Sequence, residues 1–135
     1  MKTRVLDSWA ILEWINARQP AGKQVAEMLA QAETGKIRLL MSAINAGEIH
    51  YFLRKHHSLA LAEDWRALSR TLPVTVEVPS MSDIWDAAAL KGQFPIAYAD
   101  AFAAALAQKN ECALVTGDRE FRSVTHLDLH WIGGS

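Results

Sequence analysis

The stretch YADAFAAALAQKNECALVTGDREF, from Tyr98 to Phe121, limits the possible folds more than any other part of the chain. Tyr98 to Lys109 is Ala-rich with no internal Gly or Pro, the composition with the highest intrinsic helical preference, and it predicts a helix. Asn110 is suited to end that helix in a left-handed conformation, and Ala113 to Thr116 then reads as a short buried strand. Gly117-Asp118 follows as a turn. If helix and strand run antiparallel, as in an α/β layer, Asp100 in the first helical turn and Asp118 just past the strand lie at one edge of a sheet.

Upstream, the same pattern recurs. Arg4-Val5-Leu6 is a strand ending at Asp7, with Ser8 placed to cap a helix from Trp9. That helix, WAILEWIN, is apolar on nearly every face, so one side meets the sheet and the other meets a second helix or a second chain. Gln19 to Gly22 reads as a turn, Lys23 to Thr34 as an amphipathic helix closed by Gly35, and Arg38 to Met41 as the next strand. Ser42 caps a helix from Ala43 to Lys55 with Ile44, Ile49, Phe52 and Leu53 inward, which carries Glu48 in its first two turns. A helix from Leu59 to Thr71, a half-exposed strand from Val74 to Val78 and a helix from Met81 to Lys91 follow. Ser80 and Asp83 have capping-box spacing before that last helix. Gly92 to Pro95 breaks the chain. Beyond Phe121, a polar loop leads to a final strand from Leu127 to Ile132 and a Gly-Gly-Ser tail. Strands alternating with helices predict an α/β domain with a mostly parallel sheet. In such sheets ligands bind beyond the carboxyl ends of the strands, the edge that receives Asp7, Glu48, Asp100 and Asp118.

Length and composition fit one domain spanning residues 1–135, with enough apolar surface for a core and no run long enough for a membrane span. Asp7 and Glu13 argue against a signal peptide in the amino-terminal segment. The single cysteine, Cys112, rules out an intrachain disulfide and a multi-cysteine zinc site; it reads as a small packed residue, and the cytoplasm is the expected compartment. A formal charge of −1 removes the overall basic balance of many nucleic-acid binders but leaves room for a local basic patch.

Each acid has an ordinary alternative: Asp100 as a helix-dipole acid, Asp118 as a turn residue, Glu48 as a solvated helix acid. Asp7 is harder to dismiss, because it ends an apolar strand and precedes an apolar helix. Together, carboxylates held close repel and raise one another's pKa, so the cluster calls for a counter-ion. Mg²⁺ and Mn²⁺ prefer oxygen ligands and activate water for phosphodiester hydrolysis, which makes metal-assisted phosphodiester cleavage the expected reaction class.

Val5-Leu6-Asp7-Ser8, Glu48, Tyr98 to Ala105 and Val115 to Phe121, in this order and at these separations, resemble a PIN domain of the VapC toxin type. The resemblance covers essentially the whole chain. It implies an α/β/α sandwich and a metal-dependent endoribonuclease with Mg²⁺ or Mn²⁺ held by Asp7, Glu48, Asp100 and Asp118. It also implies a homodimer and a cognate antitoxin, and it places Ser8 and Thr116 at the neighbouring hydroxyl positions. The family usually follows this Asp-hydroxyl pair with Asn or a small residue, whereas this chain has Trp9.

Arg119 and Arg122 flank Asp118 and suit bidentate phosphate contact, with ordinary surface charge as the alternative; Arg54 and Lys55 are weaker candidates. His56 and His57 read as solvated loop residues, and His50 does not share a helical face with Glu48. A second reading keeps the fold and an antitoxin-binding surface but little catalysis. A phosphatase or receiver domain fits less well, since the first strand lacks a paired Asp-x-Asp and no strand-end lysine stands out. The apolar first helix, with Trp14, is the expected partner surface.

Overall fold

In a computed structural model of the chain, which describes residues 1–134, five parallel strands form one sheet in the order β3-β2-β1-β4-β5. The elements in sequence are β1 (Lys2–Leu6), α1 (Ser8–Ile15), α2 (Ala21–Glu33), β2 (Ile37–Ser42), α3 (Ala43–His56), α4 (Leu59–Leu68), β3 (Thr75–Glu77), α5 (Met81–Gln93), α6 (Tyr98–Lys109), β4 (Ala113–Thr116) and β5 (Leu129–Trp131). A short 3₁₀ segment, Arg119–Ser123, joins the last two strands.

Side-chain alternation along the strands builds two cores. Leu6, Leu39, Met41 and Val115 face α1 to α4 and pack with Ile11, Val25, Ile49, Leu53 and Trp65. Val5, Leu40 and Leu114 face α5 and α6 and pack with Leu90, Ile96, Phe102 and Phe121. The result is the expected α/β/α sandwich. Burial on both faces explains why β1, β2 and β4 read as continuous apolar runs rather than as alternating ones. Strand order reverses between β1 and β4, and that switch point lies between the carboxyl ends that carry Asp7 and Asp118.

Short polar residues set most helix starts. Ser42 Oγ accepts from Ile44 N at 3.2 Å, Ser58 Oγ from Leu61 N at 3.0 Å, and the Ser80–Asp83 box forms in both directions. Asp7, not Ser8, caps α1: its Oδ1 accepts from Ala10 N at 2.8 Å, which moves the helix start to Ser8. The carboxylate is the stronger acceptor for the exposed helical N–H groups, and this frees the Ser8 hydroxyl for another partner.

Other expectations shift locally. Asn110 has φ −91, and the left-handed residue is the next one, Glu111, at φ 50. α2 begins at Ala21 inside the expected turn, and α5 runs through Gly92 to Gln93. α4 stops at Leu68, β3 keeps only Thr75–Glu77, and β5 only Leu129–Trp131. Of the Gly-Gly-Ser tail, Ser135 lies outside the described residues. Ile44 is exposed rather than inward. α1 meets α2 on its outer side, the second-helix alternative, and Trp9, Leu12, Trp14 and Ile15 are partly buried against the first core.

Trp9 lies over two glycines. A Cβ at Gly117 would stand 2.3 Å from the Trp9 ring and 2.7 Å from the Ile132 carbonyl oxygen, and one at Gly133 would stand 3.2 Å from the same ring. Gly133 also has φ +84, where a side chain is strained. Gly117→Ala is expected to lower stability by about 1–3 kcal/mol through overpacking. Urea unfolding of the variant checks this, and adding Trp9→Leu to it should restore part of the loss.

Candidate metal centre

The acids come from separate elements and converge where β1 and β4 diverge. Asp7 is buried at the end of β1, Asp100 is buried in the uncapped first turn of α6, and Asp118 is half-buried just past β4. Asp100, Asp118 and Glu120 bring carboxylate oxygens within 4.8 Å of one another. Glu48 on α3 and Asp7 flank this group closely enough to act on the Asp100 charge.

The flanking acids are held by side chains of the fold. Both oxygens of Asp7 are engaged: Oδ1 accepts from Ala10 N, and Oδ2 accepts from Thr116 Oγ1 at 2.5 Å. Thr116 Oγ1 in turn accepts from Asp118 N at 3.0 Å, so one hydroxyl ties the end of β4 to the end of β1 and to the turn after it. Asp118 Oδ1 accepts from Glu120 N at 3.0 Å, which starts the 3₁₀ segment and swings Glu120 toward Asp100. Ser8 Oγ donates to Glu48 Oε1.

Behind Ser8 stands Asn45, fully buried on α3. Its Nδ2 donates to Ser8 Oγ at 3.3 Å and to the Ala99 carbonyl at 3.1 Å. Asn45 thus joins α1, α3 and the start of α6, the three helices nearest the acids. Its Oδ1 has no hydrogen-bond partner among the described residues. An amide near the first acid, which Trp9 cannot provide, is present here from another helix.

Sequence reasoning missed Glu120 and Asn45. The signal for Glu120 was its spacing from Asp118, two residues on through a tight turn. Asn45 had a weaker signal, a polar residue one turn before Glu48 on a helix face that otherwise turns inward. Arg119 is exposed beside Asp118. Arg122 lies over the Trp131 ring, 4.2 Å from its centroid, which commits its guanidinium to β5. The histidines stand elsewhere: His50 pairs with Glu63 at 3.3 Å, and His56 packs on Phe52 at 4.4 Å between ring centroids.

Electrostatics at the centre are unfavourable without a cation. Burial, opposed by the hydrogen bonds from Thr116 and Ala10 and reinforced by Asp118 and Glu48, pushes the Asp7 carboxyl up to about 7. Asp100 is pushed up to about 8, first by burial, then by the charges of Asp118, Asp7 and Glu48 and by a hydrogen bond with Glu120. A set made only of carboxylate oxygens suits a hard divalent cation and offers no thiolate or imidazole to a softer one. Asp100, Asp118 and Glu120 are placed to hold it, with Asp7 and Glu48 beside them.

A PIN domain family model matches residues 4–127. A search of curated proteins finds no match to the sequence. Among solved structures, the chain resembles VapBC2 from Rickettsia felis bound to a promoter DNA fragment, with TM-score 0.76 and 17% identity over 97% of this chain and 99% of that one. It resembles VapC20 of Mycobacterium tuberculosis, a sarcin-ricin loop cleaving toxin, with TM-score 0.75 and 14% identity over 93% and 98%. DNA-bound VapBC from Salmonella typhimurium aligns with TM-score 0.71 and 15% identity over 97% and 98%. At these identities the likeness speaks for the fold.

The raised carboxyls set a pH dependence. A group protonated in the folded state to about pH 7 or 8 but ionised in the unfolded chain from about pH 4 contributes stability that is complete below pH 4 and lost as pH rises through 7 to 8. With chelator present, the thermal midpoint of the wild type is expected to fall across that window. Asp100→Asn should flatten the fall, and added Mn²⁺ should raise the wild-type midpoint more at pH 8 than at pH 5.

Proposed function

The chain belongs to the PIN domain family, and from that premise we propose that it is a metal-dependent endoribonuclease, the toxin of a toxin-antitoxin pair. The observation that carries this reading is the convergence of Asp100, Asp118 and Glu120 at the strand switch point, with Asp7 and Glu48 behind them and two carboxyls raised first by burial and further by the neighbouring acids. Such a centre is costly in stability, and a bound divalent cation offsets that cost. The similarity to VapC20, which cleaves the sarcin-ricin loop, supports RNA as the substrate class.

Mg²⁺ or Mn²⁺ bound there supplies water activation and charge stabilisation at the phosphoryl group. The residues of the chain have separate tasks. Asp100 and Asp118 would hold the cation, with Glu120 completing the set. Asp7 holds the centre in register through Thr116, and Glu48 is oriented by Ser8. Arg119, exposed beside Asp118, positions the substrate phosphate. A cation held there would favour the ionised forms of Asp7 and Asp100, which burial otherwise disfavours.

Partners follow from the same relatives: VapBC complexes support an antitoxin, and the resemblance adds a homodimer; the cytoplasm is the compartment we propose. Besides α1, whose Trp14 stays partly exposed, apolar surface available to a partner lies on α5 and just before it, where Trp85 is 66% exposed and Met81, one turn earlier, and Val78 are also open. Among the described residues, no helix is long and apolar enough to cross a membrane.

Divalent-dependent cleavage of RNA is expected to drop more than a hundredfold in Asp100→Asn, in line with loss of a principal electrostatic contact. Arg119→Ala should cost less at saturating metal. In melts, Mn²⁺ at about a hundredfold over its Kd should stabilise the wild type by about 2.7 kcal/mol and Asp100→Asn by far less. An unchanged metal shift in that variant would place the ion elsewhere.

The partner surface has its own test. Trp85→Ala should weaken assembly with the antitoxin, or between two copies, by well over tenfold, because a buried interface Trp contributes about 2 kcal/mol or more. Being exposed in the monomer, Trp85 should leave the thermal midpoint nearly unchanged. Trp14→Ala should show the reverse pattern, with stability lost and affinity kept.

A further inference from the structure

Both tyrosines of the chain are exposed, and both line one cleft beside the acids. The cleft, of about 370 Å³, lies between α3 and the start of α6 and is bounded by Ile44, Glu48, Tyr51, Ala97, Tyr98 and Ala99. Tyr51 is 57% exposed and Tyr98 47%, high values for large rings at the mouth of a site whose other walls, Glu48 apart, are small or apolar. Their placement is set by helical spacing. Tyr51 lies three residues after Glu48 on the same face of α3, and Tyr98 lies two before Asp100 in the first turn of α6. Tyr98 is also fixed, because its ring meets the Phe102 ring edge-on at 5.0 Å and 60°.

Charge separates this cleft from the opposite flank of the centre. The sheet order puts α3, and with it Tyr51, on the β2 side of Asp7, while Arg119 and the Arg122–Trp131 pair lie on the β4–β5 side. The lining includes no cation and one acid, Glu48, so a phosphate is unwelcome there and a neutral aromatic ring is suited to it. Single-stranded RNA offers both kinds of surface: phosphates that follow cations, and bases that stack on aromatic side chains when they are not paired. A base inside a duplex has its faces covered by its neighbours and cannot enter.

We propose that Tyr51 and Tyr98 form a stacking platform for an unpaired nucleobase next to the scissile phosphate, so that the substrate is single-stranded or loop RNA held with its phosphate toward Arg119. The proposal rests on the ribonuclease reading above for the location of the scissile phosphate. The rings act through their faces, so Phe should replace either Tyr and Ala should not.

The test measures affinity and cleavage separately. Labelled single-stranded RNA octamers of random sequence, and a duplex of matched length, are bound to the full chain in chelator, where cleavage is suppressed. Cleavage of the single strands is then followed with Mn²⁺. Tyr98→Ala and Tyr51→Ala are each expected to lower single-strand affinity about tenfold, with Tyr98→Phe and Tyr51→Phe within about twofold of wild type and little change for the duplex. In cleavage, the Ala variants should raise KM with kcat nearly kept. An Ala variant that binds and cleaves single strands like the wild type overturns the platform and leaves the nuclease reading intact. So does one whose loss appears only as a lower thermal midpoint or an altered oligomeric state. Ring-dependent binding without metal-dependent cleavage would sustain the platform and overturn the nuclease reading, and wild-type protein that binds no single strand would overturn the platform outright.

Discussion

The carboxylate of Asp7 holds both the fold and the centre. One oxygen caps α1 and the other receives Thr116, so the first helix, the end of β1 and the end of β4 share a single buried group. A charge in that position is unfavourable, which is why its carboxyl rises to about 7. The two hydrogen bonds oppose the rise, and the acids around it add to it. Folding without a cation therefore favours a protonated Asp7, and the ionised form needs a counter-charge. The same contacts that let the chain fold set the conditions under which the centre can carry its full negative charge.

A second network carries this order outward. Ser8 donates to Glu48, and Asn45 reaches both Ser8 and the Ala99 carbonyl next to Asp100. Three helices that approach the sheet edge from both faces are thereby fixed to one another through buried polar atoms. Removing a partner from such a network leaves the remaining polar groups unsatisfied, at a cost of roughly 1–3 kcal/mol each. Asn45 Oδ1 has no partner among the described residues, so the network is not fully closed within them.

Most of the architecture was legible because it follows from local rules. An Ala-rich helix, short apolar strands and Ser caps fix the order of elements, and parallel pairing then sends Asp7, Glu48, Asp100 and Asp118 to one edge. What escaped was the detail that depends on tertiary partners. Ser8 looked like a cap, but the adjacent carboxylate accepts the helical N–H and Ser8 turns to Glu48 instead. Glu120 joins Asp100 and Asp118 only because Asp118 winds a 3₁₀ turn after β4. α1 is apolar all round because α2 packs over its outer side, while the most exposed aromatic side chains lie on α5 and around Tyr51 and Tyr98, which no periodicity marked.

The bulky residue after Ser8 explains itself on the same terms. Read alone, Trp9 threatens the first acid, since it stands where a small or amide side chain would leave more room. Gly117 and Gly133 supply that room from the turn after β4 and from the chain after β5, and the ring packs against both backbones. Asp118 follows Gly117 directly, so the packing of Trp9 also fixes the turn that delivers an acid to the centre. A residue that departs from the family pattern at one position is thus matched by glycines more than a hundred residues away in sequence, and the acidic edge keeps its shape.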